Sequence, residues 1–309
     1  MSLVLRLPTA IERKLEMLWR GLPDTVDGSD VDFSSPLGEA ALVPAHSVSW
    51  RVFKNPVTVF IGGVAAVILE LAEPRVRTGV WEHSRFRSDP VGRLKRTGAA
   101  AMLTVYGARS IAMPMIERVA RIHAAISGVT PCGMAFTAAD PALLTWVQAT
   151  ASYGFVAAYG AYVRPLGALE MDAFFEEGLA AAHLYGALDA PRSMRELECL
   201  FASMQGRLQG SSILFEFLDV LRAAPVLPRP LAWMQGMLIR AAVDIVPGWA
   251  RDRLGLDARL GLDARRGLPS LERGLVKSIA GLAERIVLPG GAPAQSCTRL
   301  GLPATFLYR

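Results

Sequence analysis

The sequence of 309 residues is poor in the residues from which metal and redox sites are usually built. Its three cysteines, Cys132, Cys199 and Cys297, form neither a CxxC pair nor a spacing that combines with the four histidines. An odd number of widely spaced cysteines argues against a disulfide framework and against a structural zinc site. The pattern favours a reduced, intracellular protein.

Lysine is also scarce, and most of the 33 basic residues are arginine. The formal charge is +5 and the pI about 9.4. Basic and acidic residues nevertheless alternate along the chain and form no basic stripe, so no nucleic-acid partner is predicted.

Long apolar runs are missing as well, although the mean hydropathy of +0.31 is high for a soluble protein. The best candidate for a membrane span, residues 57–69, stops at Glu70, whereas a span needs about 20 residues. A buried core helix is favoured, and contact with a membrane surface stays open. Charged residues near the N-terminus replace the apolar core of a signal peptide. We expect a cytoplasmic location, with membrane association as an alternative.

The usual catalytic motifs are absent too. The sequence has no Gly-rich phosphate loop, no G-x-S-x-G, no HExxH and no Glu-x-x-His pair of the di-iron type. It therefore signals neither a nucleotide-binding enzyme nor a hydrolase.

Helix signals dominate what is present. Asn55-Pro56, Asp89-Pro90 and Asp140-Pro141 each place a capping side chain before a proline, which predicts helices ending near residues 74, 106 and 162. Further helices are predicted over residues 11–22, 114–127, 170–187, 193–208, 211–223, 230–243 and 271–287, and a strand is possible over 48–53. The near-repeat of residues 255–260 in 261–266 predicts a duplicated surface turn without chemistry.

These signals predict an all-α protein, a single bundle of roughly 8–11 helices around a central cofactor pocket. Residues 1–54 should form an N-terminal helix and an extended arm that packs on the core. Residues 55–288 should form the helical domain, and residues 289–309 a tail that is poorly ordered at least in part.

Two helices within residues 81–123 carry the candidate site. On the first, a polar face consists of Arg93, Arg96, Thr97, Ala100 and Thr104, which share one side at helical spacing. Such a face can border solvent or a pocket.

On the second helix, His123 belongs to an apolar stripe and is predicted to point inward, with Gly128 ending the helix. An inward histidine is the usual ligand for a cofactor inside a helical bundle, although a hydrogen-bonded core histidine is commoner. Of the other histidines, His46 lies in the arm, His83 is expected at the surface, and His183 is expected to pack on the inner side of its helix.

Part of the chain resembles a known family, that of the rubber oxygenases, including latex clearing protein, and the MpaB-type oxygenase domains. The resemblance covers roughly residues 55–200 and is given by the order and spacing of short motifs. These are Ala72-Glu73-Pro74, residues 79–86, Asp89-Pro90, Arg93-Leu94, Arg96-Thr97, Gly107, Arg121-Ile122-His123, Gly128, Asp140-Pro141, Trp146-Val147 and Phe174-Phe175-Glu176.

The resemblance implies an all-α fold that encloses haem b, with His123 as the iron ligand. It implies that Arg93, Arg96 and Thr97 lie beside the haem, with Arg93 and Thr97 as candidate catalytic residues. The reaction implied is an oxidation that uses dioxygen. The missing signal peptide makes an intracellular apolar small molecule a better substrate than a polymer.

The chain departs from the family pattern at three positions. Arg96 stands where latex clearing protein has a lysine, and an arginine stays protonated and cannot ligate iron. Glu73 and Gln148 stand where family members often have histidine.

Two other functions stay open. The chain could be a helical protein that binds a lipid or another apolar ligand without oxidising it. It could also be a haem-binding sensor, which would bind haem without turnover. The sequence does not predict the electron donor, the distal ligand or the oligomeric state.

Overall fold

The computed structural model describes residues 25–26, 29–227, 229–260 and 267–308. These residues form fourteen α-helices and two short antiparallel hairpins, so the all-α prediction is confirmed. The predicted helix over residues 11–22 and the second copy of the repeat lie outside the described residues.

The helices are α1 (Val48–Phe53), α2 (Pro56–Ala72), α3 (Pro74–His83), α4 (Pro90–Tyr106), α5 (Arg109–Ala124), α6 (Pro141–Tyr162), α7 (Ala168–Tyr185), α8 (Met194–Met204), α9 (Ser212–Ala223), α10 (Ala232–Asp244), α11 (Gly248–Leu254), α12 (Leu256–Leu260), α13 (Ser270–Ala283) and α14 (Ala292–Arg299). Strands β1 (Thr25–Val26) and β2 (Ser29–Asp30) form one hairpin, and β3 (Ser127–Val129) and β4 (Ala135–Thr137) form the other. The helix count exceeds the predicted 8–11 because α1, α11, α12 and α14 are short.

Helices α2 and α6 form the centre of the core. Glu70 is the only charged residue of α2, and the first turn of the helix is capped by Asn55, whose side chain accepts hydrogen bonds from the amides of Val57 and Thr58. The two helices approach closely because Gly62 faces Gly154 across the crossing. The indole of Trp146 donates a hydrogen bond to the carbonyl of Leu69 at 3.2 Å, which fixes α6 against the end of α2 that carries Glu70.

Helix α7 packs on α6, α5 packs on α7, and α4 packs on α5. Asp89 caps α4, and the helix ends before Gly107, as predicted. Helix α5 begins at Arg109, five residues earlier than predicted, and Pro114 lies inside it. Its first turn is held from outside, because the Glu39 carboxylate accepts hydrogen bonds from the amide and hydroxyl of Ser110.

The two ends of the described chain meet at Arg299, which is 1 % exposed. Its guanidinium donates to the carbonyls of Glu39, Phe33 and Tyr106 at 2.9, 2.9 and 2.7 Å. Within the predicted C-terminal tail, residues 292–299 form α14 and pack on α4.

Three other local predictions are wrong. Residues 48–53 form helix α1 instead of a strand, because Ser47 caps the helix and the Glu177 carboxylate accepts hydrogen bonds from the amides of Val48 and Ser49. Gly128 lies in β3 and does not end α5. The first copy of the repeat is not merely a surface turn, since Asp257 is buried and lies 3.5 Å from Arg251.

In the described part of the chain, no single helix is long and apolar enough to cross a membrane. Only α2 and α3 taken together reach the length and composition of a span, and they are bent by 110°.

Candidate functional site

The predicted polar face of α4 lies partly inside the protein. The guanidinium of Arg93 donates to Thr97 Oγ1 at 3.0 Å, and the Thr97 hydroxyl donates to the Arg93 carbonyl. Further along the face, Thr104 Oγ1 lies 2.9 Å from the hydroxyl of Tyr185 on α7. Arg93 and Thr104 are partly buried whereas Thr97 between them is exposed. Solvent therefore reaches the middle of this face.

His123 lies in the last turn of α5 and is partly buried, as predicted. Its Nδ1 atom is buried and has no hydrogen-bond partner among the described residues. Burial lowers the pKa of the imidazole, and the nearby positive charge of Arg93 lowers it further. The ring is therefore neutral at pH 7, which is the state that binds a metal ion.

Glu70, near the end of α2, is a third member of the site. Burial raises the pKa of its carboxyl to about 7, and the charge of Arg93 opposes that rise. No residue in the described part of the chain donates a hydrogen bond to the carboxylate. Glu70 can thus hold or release a proton near neutral pH, which is the property required of a general acid or base.

Arg93 connects these residues electrostatically. Burial lowers the pKa of its guanidinium, while Glu70 raises it and Arg96 lowers it. An arginine remains protonated even so. The structure therefore brings together a cation, a neutral imidazole and a titratable carboxyl from α4, α5 and α2. All three have hydrogen-bonding or charge requirements that the described residues leave partly unmet.

Arg96 affects the pKa of Arg93 but forms its ion pair with a residue outside this group. Its guanidinium forms an ion pair with Asp89 at 3.2 Å, and both side chains are more than a third exposed. Asp89 also caps α4, so Arg96 is held towards the N-terminal end of the helix.

The two positions at which family members often have histidine have local roles here. Glu73 is buried, caps α3 by accepting hydrogen bonds from the amides of Arg75 and Val76, and pairs with the Arg75 guanidinium at 2.8 Å. Gln148 donates to Ser152 on the same helix. Neither contact links these residues to His123.

The remaining histidines lie elsewhere. His46 and His83 are exposed, as expected for the arm and the surface. His183 is also exposed, so its predicted inward position is wrong, because Phe174, Phe175, Ala181 and Ala182 form the buried side of α7. In the described ranges, no group of three or more His, Cys, Asp or Glu side chains could hold a metal ion.

Sequence reasoning missed Glu70 and Tyr185. Glu70 ends the apolar run at residues 57–69 and is the one charged residue of α2, and a lone charge in a buried helix is itself a signal. Tyr185 gave no such signal, because its contact with Thr104 joins residues of α4 and α7 that are distant in sequence.

A separate cavity of about 340 Å³ lies between α6, α8 and α11. It is lined by aromatic and aliphatic side chains, including Tyr153, Phe201 and Trp249, with Glu198 and Gln205 as polar members. None of the site residues described above lines it.

Comparisons with known proteins agree with the resemblance in the sequence. Neither the curated proteins nor the solved structures gave a match. A family model, however, described as the ER-bound oxygenase mpaB/B′/rubber oxygenase catalytic domain, matches residues 50–279. This range includes Glu70, Arg93 and His123 and covers most of the chain, which therefore belongs to this family of oxygenase catalytic domains.

Proposed function

We propose that this oxygenase domain binds haem b through His123 and uses dioxygen to oxidise an apolar small molecule. The observation that carries the proposal is the buried Nδ1 atom of His123, which has no partner among the described residues, in a neutral ring beside the cation Arg93. A buried polar atom without a partner costs free energy, so its persistence at a site calls for an explanation such as a missing ligand.

The residues present fit haem b. A neutral imidazole is its commonest protein ligand, and a guanidinium suits the carboxylates of the haem propionates. Arg93 is partly buried, and its guanidinium donates to the neutral hydroxyl of Thr97. When bound, the haem iron would supply the centre at which dioxygen is activated.

His123, Arg93 and Glu70 would then have three separate roles. His123 would hold the cofactor, and its lowered pKa would keep it competent to do so below pH 6.5. Arg93, held by Thr97, would neutralise negative charge on the cofactor or on an oxygen-derived anion. Glu70 would hold or move a proton at its carboxyl oxygen.

The test is the absorption spectrum of the purified protein, as isolated and after addition of hemin. We expect a Soret band in the wild type and its loss in His123→Ala. His183→Ala, which removes an exposed histidine from α7, is the matched control and should keep the band. A Soret band that survives in His123→Ala as strongly as in the wild type would refute the assignment.

The cavity between α6, α8 and α11 supports a second candidate, a protein that binds an apolar ligand without oxidising it. Its volume lies at the lower end of the range for small-molecule sites. This function predicts a colourless protein that carries co-purified lipid. Haem binding without oxygen uptake would instead indicate a sensor.

A further inference from the structure

The hairpin that follows His123 presents an exposed surface without charge. Residues 122–139 contain no Asp, Glu, Lys or Arg, and most of them are exposed. Val129 is 60 % exposed, Ile122 52 % and Met134 39 %. Since roughly 25–35 % of residues on a soluble surface are charged, this segment is unusual. We call Ile122, Val129, Pro131, Met134 and Ala135 the apolar hairpin face.

The pairing of β3 with β4 explains why these side chains point outward. Gly128 pairs with Phe136, whereas Val129 pairs with Ala135. Phe136 is buried against α3, where its ring would lie 3.2 Å from a side chain at Gly79. Because side chains alternate along a strand, burial of Phe136 forces Val129 and Ala135 to the outer side.

The tip of the hairpin is held in place although nothing in the described part of the chain covers it. Thr130 is buried, its amide donates to the Met134 carbonyl at 2.8 Å, and its hydroxyl accepts from the Met134 amide at 3.0 Å. Gly133 has a φ of +85°, which other residues rarely adopt. Because the apolar tip is already ordered, it loses little conformational entropy when it binds a partner.

Arginines border the apolar hairpin face. Arg121 is exposed and immediately precedes Ile122 on α5. Arg85 is exposed and lies two residues beyond His83, whose Nε2 approaches Gly128. A convex apolar tip with arginines at its edge is the arrangement that inserts among acyl chains while its cations meet anionic headgroups.

We propose that the apolar hairpin face inserts into the surface of an anionic lipid bilayer. A protein partner fits less well, because stable protein interfaces bury about 800 Å² on each side, more than one hairpin tip provides. Since β3 begins four residues after His123, insertion would bring α5 to the membrane. Resting on the proposed function, this identifies the substrate class as an apolar molecule dissolved in the bilayer.

The native cysteines allow a direct test. Cys132 lies exposed at the tip and Cys199 is exposed on α8, while Cys297 is buried. A polarity-sensitive fluorophore is attached to Cys132 in Cys199→Ser, or to Cys199 in Cys132→Ser as the matched control. With phosphatidylcholine–phosphatidylserine vesicles, we expect a blue shift and quenching by bilayer-embedded quencher at Cys132 only. An unchanged spectrum at Cys132 would overturn the proposal.

Vesicle sedimentation of unlabelled protein gives a second measurement. Val129→Glu combined with Met134→Glu should weaken binding about tenfold or more, because each apolar side chain contributes to insertion. Leu271→Glu combined with Leu275→Glu, at exposed leucines of α13, is the matched control and should bind like the wild type. Equal binding by the hairpin variant, or loss of binding in the control alone, would contradict insertion at this face.

Two readouts separate this proposal from the others. The Soret band of the hairpin variant should match the wild type, so failure of haem binding and failure of vesicle binding are distinguishable. If light scattering shows a wild-type dimer that the hairpin variant lacks, while vesicles do not bind, the face pairs with a second copy and the lipid proposal is wrong.

Discussion

The carboxyl of Glu70 illustrates how a single residue can take its properties from the fold. In a peptide it would be an ordinary glutamate, but at the end of α2 it is desolvated and accepts no hydrogen bond from the described residues. Burial outweighs the attraction of Arg93, and its pKa rises to about 7. Its charge is therefore set by small changes in its surroundings near neutral pH.

This shift predicts how stability depends on pH. Between pH 4.5 and about 7 the folded state holds a proton on Glu70 that the unfolded state has lost. The contribution of Glu70 to stability is therefore present at low pH. As the pH rises through this window, the free energy of unfolding falls by on the order of 3 kcal/mol.

In Glu70→Gln this loss should disappear. Denaturant unfolding at pH 5 and pH 8 should show the variant gaining stability relative to the wild type at the higher pH. Glu176→Gln, an exposed substitution on α7, controls for the removal of one carboxylate. A stability difference between Glu70→Gln and wild type that is the same at both pH values would disprove the shift.

At the scale of elements, the crossing of α2 and α6 depends on two glycines. A Cβ at Gly154 would collide with the Gly62 carbonyl oxygen and lie 3.2 Å from the Ala66 amide. Gly154→Ala must therefore push the helices apart, and we expect it to cost about 1–3 kcal/mol of stability.

Gly160→Ala, on the same helix, is the matched comparison. No heavy atom lies within 4 Å of a Cβ at that position, so the better helix propensity of alanine should stabilise the protein by about 0.5–1 kcal/mol. Thermal unfolding measures both variants. If both substitutions change the stability by similar amounts, close packing at the crossing of α2 and α6 does not limit the stability.

Helix boundaries were predictable where their signals are local. α4 and α6 begin after Asp-Pro pairs and end at the expected residues, because the capping side chain and the proline lie next to each other in sequence. α1 and the start of α5 were not predictable. Their first turns are held by Glu177 and Glu39, which are distant in sequence.

The candidate site was likewise predictable only where it depends on local sequence. The inward position of His123 and the shared face of Arg93 and Thr97 follow from helical periodicity within α5 and α4. The proximity of Glu70 to Arg93 depends on how α2 packs beside α4, which periodicity does not encode. Periodicity also misplaced His183, because α7 is rich in alanine and has only a weak apolar stripe.

At the scale of the whole molecule, Arg299 joins segments that lie outside the family match. The oxygenase family model matches residues 50–279. Arg299, outside this range, donates to the carbonyls of Phe33 and Glu39, which precede the range, and to that of Tyr106, which lies within it. The arm and α14 are thus part of the same core as the helices of the matched domain.

Replacing this residue should destabilise the entire domain. In Arg299→Met the carbonyls of Phe33 and Glu39 lose this donor inside the protein, which should cost roughly 3 kcal/mol or more. Arg285→Met, at an exposed arginine, should change stability by less than about 0.5 kcal/mol. Denaturant unfolding followed by tryptophan fluorescence would measure the stability of both variants, and equal midpoints for the two variants would contradict this role.

The same contact has a consequence for the order of folding. Phe33 and Arg299 are 266 residues apart in sequence, and Phe33 and Gln295 are 262 apart. During synthesis the arm emerges long before its partners in α14. The arm therefore cannot reach its native position until α14 has been synthesised, and Glu39, which holds Ser110 at the start of α5, is fixed only when the arm is in place.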